Sequence, residues 1–108
     1  MSSLDDRRDA FEKKFAHDEE MRFKLEARTC KLFGQWAAEQ LGLTGDGAET
    51  YTREVIGSNL EEPGYEDVKR KVKPDLDAKN LNISEHMLDR KLAEFTEQAK
   101  QQIMAANG

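Results

Sequence analysis

Two histidines, one cysteine and several runs of charge are what this 108-residue chain offers by way of chemistry. His17, Asp18, Glu19 and Glu20 are metal-ligating types. Consecutive positions on a helix spread around its circumference, however, and converge poorly on one ion, so they read as a solvated face. His86 has no sequence neighbour that would orient it as a base. Cys30 has no histidine near it and reads as a small buried hydrophobe. Residues 42–47, Gly-Leu-Thr-Gly-Asp-Gly, are rich in glycine but lack the lysine and hydroxyl pair of a phosphate-binding loop; following a helix and not a strand, they read as a turn. Lys69, Arg70, Lys71 and Lys73 form a local basic cluster suited to a phosphate or a nucleotide, through point charges and a guanidinium fork, with a solvated helix face as the competing reading. No nucleophile, base and oxyanion donor assemble here, and the chain is not expected to be an enzyme.

Such side chains need elements to position them, and composition sets which. Charged residues make up 36% of the chain, hydrophobic ones 37%, there are two prolines, and the mean hydropathy is −0.87. Heavy charge with few β-branched residues favours helices with wide solvated faces over a β-sandwich or barrel. A net charge of −5 counts against duplex nucleic acid or an anionic membrane as partner, since both reward a basic footprint. One cysteine cannot close an internal disulfide, which points to a reducing compartment. No apolar run exceeds four residues, too short for a transmembrane helix or the middle of a secretory signal, and the acidic residues near the start oppose a transit peptide. A cytoplasmic chain without membrane insertion is the expectation.

Glycine, proline and asparagine divide the sequence into four stretches with apolar residues at helical spacing. In the first, residues 4–41, Leu4, Phe11, Phe15, Met21, Leu25, Leu32, Phe33 and Trp36 fall within a sector of roughly 120°. Gly42 followed by Leu43 suits a C′ glycine with its trailing apolar contact. Asp46 and Glu49 have the spacing of an N-cap and its N3 partner, so a second helix is predicted to start at Asp46, bury Ala48, Tyr51, Thr52 and Val55, and stop near Gly57. A third follows Pro63-Gly64 with Tyr65, Val68 and Val72 on one face, and Pro74 is expected to end or kink it. The fourth starts at an N-capping Ser84, with Ile83 and Leu88 as a hydrophobic staple, and continues through Leu92, Phe95, Ala99 and Ile103. The fold class that results is all-α: a small four-helix bundle with short loops.

Length then separates the first helix from the rest. About 38 residues would span about 57 Å, against about 30 Å for the fourth helix and about 15 Å for each middle one. The overhang has only Leu4, Phe11 and Phe15 as large apolar groups. Burying three such side chains is worth about 5 to 9 kcal/mol, a gain that needs a neighbour, while ordering the backbone costs on the order of 1 to 2 kcal/mol per residue. Residues 1–18 are therefore expected to be mobile or disordered in the free chain, with residues 19–108 forming the bundle. A segment that keeps a helical stripe it cannot use internally is suited to fold into a partner's groove. Repeated opposite charges among Asp5, Asp6, Arg7, Arg8, Asp9, Glu12, Lys13 and Lys14 support that helix weakly and would give register on a partner.

The string Leu-Asp-Asp-Arg-Arg-Asp-Ala-Phe-Glu-Lys-Lys-Phe-Ala-His-Asp-Glu-Glu over residues 4–20, followed by Gly34 and Trp36-Ala37-Ala38, resembles the zeta subunit of the alphaproteobacterial F-type ATP synthase. Ala48-Glu49-Thr50-Tyr51, Glu54-Val55, Glu61-Glu62-Pro63-Gly64 and Glu66-Asp67-Val68 extend the resemblance over nearly the whole chain. It implies a regulatory protein, monomeric when free, whose N-terminal segment inserts as a helix into the catalytic head at the cytoplasmic face of the inner membrane and blocks ATP hydrolysis. On this chain the partner-binding residues would be Leu4, Asp5, Asp6, Arg7, Arg8, Phe11 and Phe15. The resemblance also implies adenine nucleotide, ADP or ATP, as a ligand of the bundle, with no cofactor required, but does not itself place the site; Lys69, Arg70 and Lys73 of the basic cluster are the candidates for it. A nucleotide-sensing helical module without strong inhibitory activity is the alternative. The chain departs from the family pattern at Leu4, where Phe is expected, at Thr29-Cys30, where a basic residue and Asn are expected, and at Pro74. The smaller Leu4 should weaken one anchor by about 1 kcal/mol.

Overall fold

The computed structural model describes residues 19–59 and 64–107, and among them it contains four helices: α1 (Glu19–Gln40), α2 (Gly45–Ser58), α3 (Glu66–Ala78) and α4 (Glu85–Asn107). The expected all-α architecture is what is found. Of the long first helix, residues 4–18 lie outside the described residues. The middle helices have 14 and 13 residues, about 20 Å each and longer than the sequence suggested.

α1 is the central element, packed along α2 on one side and α4 on the other. Its close approach to α2 depends on Gly34: a Cβ there would meet the Thr52 Cα and the Val55 Cβ at 3.2 Å. Phe33, Ala37, Tyr51, Val55, Val68, Val72, Leu76, Leu88 and Leu92 form the main core cluster, and Met21, Leu25, Ala99 and Ile103 a second one where α1 meets the far end of α4. The buried Thr29 and Thr52 hydroxyls donate to the Leu25 and Ala48 carbonyls of their own helices, at 2.8 Å each, so neither leaves a bare donor in the core.

Helix ends show which local signals prevail. Gly42, at φ +76°, ends α1 as expected: its N–H donates to the Glu39 carbonyl and the Leu43 N–H to that of Ala38, the paired bonds of a Schellman motif. Ser84 caps α4, its hydroxyl accepting from the Met87 N–H at 3.1 Å, while Ile83 and Leu88 are buried as the staple requires.

Two expectations are corrected. The second helix begins at Gly45 and not with Asp46 as cap. Thr44 is the extended flanking residue and its side chain makes no capping bond. Gly45, at φ +54°, turns the chain one residue early and leaves Asp46 in the first turn, where its charge suits the helix dipole. Of the two outcomes expected at Pro74, an end to α3 is not found, since the helix continues to Ala78. Pro74 is exposed, so water can serve the carbonyl left without a donor, while Leu76 beyond it is fully buried and holds the last turn against the core. Asn80, at φ +57°, is what stops the helix: its N–H donates to Asp77 and that of Leu81 reaches back to Leu76.

Candidate functional site

The basic residues of α3 come from consecutive turns of one helix, and the fold divides them between two faces. Lys69, Arg70 and Lys73 line a cavity of about 260 Å³ beside Pro74, Glu85 and Leu88. The structure thus brings the three suggested nucleotide-binding residues together. It also supplies each with a carboxylate. Lys69 reaches Asp89 at 2.8 Å, Glu66 at 3.1 Å and Glu85 at 3.7 Å, with only 13% of its side chain exposed. The hydrogen bonds that Lys69 donates, to Asp89 first and Glu66 second, raise its pKa above the ordinary value. Arg70 meets Asp67 at 2.8 Å and Lys73 meets Asp77 at 2.6 Å. A phosphate entering here would compete with carboxylates already in place.

Lys71 faces the other way, toward α2, meeting Asp75 at 3.0 Å and Glu54 at 3.4 Å and lying over the Tyr51 ring. The Tyr51 hydroxyl donates to the same Asp75 carboxylate at 2.8 Å. Burial, then this bond and the charge behind it, push the Tyr51 pKa up. The group ties the last turn of α3 to α2.

Cys30 is fully buried, as expected for a small hydrophobe. Burial, with a smaller push from Glu26, raises its thiol to about 12, which leaves almost no thiolate at neutral pH. His86 is exposed in the first turn of α4. Among the described residues no cluster of histidine, cysteine and carboxylates has the arrangement of a metal site. His17 lies outside the described residues, and so do all the suggested partner-binding residues: Leu4, Asp5, Asp6, Arg7, Arg8, Phe11 and Phe15.

A second basic feature emerges in the fold. Lys24, Arg28 and Lys31, spaced i, i+4, i+7 on α1, edge a cavity of about 550 Å³ floored by Phe23, Ala27 and Ile103. Phe23 is 61% exposed, an unusual position for a phenylalanine beside a core cluster. The signal was present in residues 23–31, where basic and apolar positions repeat side by side at helical spacing.

No helix among the described residues is long and apolar enough to cross a membrane. Among curated proteins none matches the chain. A protein solved by solution NMR is 45% identical, the match covering 80% of this chain and 98% of that one at a TM-score of 0.69. The family described as ATPase inhibitor subunit zeta matches over residues 1–102, so the match takes in both the bundle and the segment before it. With Gly34, the Gly42 turn and the Ser84 cap each holding the helices where the resemblance implied a bundle, this chain belongs to the ATPase inhibitor subunit zeta family.

Proposed function

We propose that the chain restrains ATP hydrolysis by an F-type ATP synthase, residues 4–18 entering the catalytic head as a helix while the bundle stays outside. The observation that carries this reading is the reach of the family match, which begins at residue 1 and so includes the stripe of Leu4, Phe11 and Phe15. The bundle supports it: among the described residues the core closes on itself between Met21 and Ile103. Three anchors buried in a partner would supply about 5 to 9 kcal/mol toward the cost of ordering the segment. The charged quartet Asp5, Asp6, Arg7 and Arg8 would set its register. The role is regulatory, exercised by occupying a site and not by a reaction of the chain's own.

Phe11→Asp/Phe15→Asp in the full chain tests the assignment. Each change puts a carboxylate where an apolar pocket is proposed, so inhibition of ATP hydrolysis by the isolated head should be lost while the helix content of the protein stays the same. Unaltered inhibition by the double variant would remove the segment from the mechanism.

A second reading, nucleotide sensing at the α3 face, is favoured by the convergence of Lys69, Arg70 and Lys73 on one cavity. Titrating ADP or ATP while following backbone amide shifts addresses it. Shifts at residues 66–74 that disappear in Arg70→Gln/Lys73→Gln would support it, and unmoved amides would dismiss it.

A further inference from the structure

We propose that the groove edged by Lys24, Arg28 and Lys31 docks an acidic, apolar-faced helix of the ATPase head. This rests on the reading that the head is the partner, and it gives the bundle a binding task of its own.

The cavity of about 550 Å³ between α1 and the end of α4 meets a second, of about 650 Å³ between α1 and α2, at Lys31 and Ile56. Together they run along one face of α1 from Phe23 to Glu39, about 24 Å, which matches four to five turns of a docked helix. The floor is apolar, with Phe23, Ala27, Ile56 and Ile103.

Charge decides what kind of helix fits. The chain carries a net charge of −5, so an acidic segment has to be drawn by a local concentration of positive charge. On α3 the cations are held by carboxylates, as described above. Along the Phe23 end of this groove they are held more loosely, while the far end also carries Glu39 and Glu49, the latter paired with Arg53 at 3.4 Å. Arg28 gives its hydrogen bond to the neutral Gln102 at 2.9 Å, and Lys24 meets only Glu20, at 3.7 Å, with both side chains more than half exposed. Lys31 makes no ion pair or hydrogen bond with any described residue. Positive charge over an exposed phenylalanine therefore favours carboxylates flanking apolar anchors, and it orients such a partner toward this one face. The groove opens in the first turns of α1, directly after the segment proposed to enter the head. A partner that takes up residues 4–18 thus lies within reach of it.

The test measures the half-inhibitory concentration of the full protein on the isolated head. Lys24→Glu/Lys31→Glu should raise it at least tenfold and weaken its dependence on salt. Phe23→Ser should raise it several-fold, and Lys79→Glu/Arg90→Glu, an equal change of charge on other exposed positions, should leave it within twofold. Benzoylphenylalanine in place of Phe23 should cross-link to a segment of the head carrying Asp or Glu within one turn of the attachment point. If wild type inhibits but all variants inhibit equally, or if the cross-link falls on residues 1–18 or on a second copy of the chain, the docking proposal is wrong and the inhibitory reading survives. If wild type itself does not inhibit, both fall. All of these substitutions are at exposed positions, so circular dichroism should show intact helices in each.

Discussion

At the residue scale, the buried titratable groups tie stability to pH in one direction. Cys30 ionises at about 12 in the folded chain against an ordinary 9.0. Between those values the unfolded chain binds fewer protons than the folded one, so stability falls as pH rises. Tyr51 and Lys69, both raised above ordinary values of 10.0 and 10.5, lose stability in the same sense from about pH 10 upward. Urea midpoints should therefore be flat from pH 7 to 8 and decline above pH 9, and Cys30→Ala should flatten the first part of that decline. A thiol reagent at pH 8 should react with Cys30 no faster than the protein opens; rapid labelling would contradict its burial. Tyr51→Phe removes one hydrogen bond but leaves Asp75 its contact with Lys71, so the expected loss is about 1 kcal/mol with an unchanged denaturant slope.

At the element scale, closeness between α1 and α2 is set by a missing side chain. Gly34→Ala would place a methyl group 3.2 Å from the backbone of Thr52 and from Val55. Overpacking of that kind costs about 1 to 3 kcal/mol, offset in part by about 0.5 to 1 kcal/mol of helix propensity, and the net should be a loss seen in the urea midpoint. Pro74→Ala should act oppositely. It returns a donor to the middle of α3 and should stabilise by about 1 to 3 kcal/mol; a destabilised variant would mean that the ring itself packs usefully. The same elements show what was legible in the sequence. The Ser84 cap and the Gly42 turn were, because one residue and its immediate neighbours decide each. The start of α2 was misplaced because Gly45 turns the chain before Asp46 can cap it. The extent of α3 was missed because the burial of Leu76, a property of the assembled bundle, holds the helix past its proline. Likewise the basic cluster of α3 stood out in sequence, while two of the carboxylates that hold Lys69, Glu85 and Asp89, arrive from another helix.

At the scale of the whole molecule, the four described helices share two core clusters, and the segment before them is proposed to act on another protein. The four-helix architecture was readable because each stretch carries its own stripe and stop signal. The groove beside Phe23 was not, because its floor is completed by Ile56 and Ile103 from elsewhere in the chain. If the division is correct, a chain of residues 19–108 should melt within a few degrees of the full protein, since among the described residues both core clusters lie between Met21 and Ile103. The most direct measurement is ATP hydrolysis by the isolated head as a function of added protein, comparing the full chain with residues 19–108. Hydrolysis should fall with the full chain and remain at its starting rate with the shorter one. Equal inhibition by both would contradict the account, because the bundle would then inhibit without the segment proposed to do so.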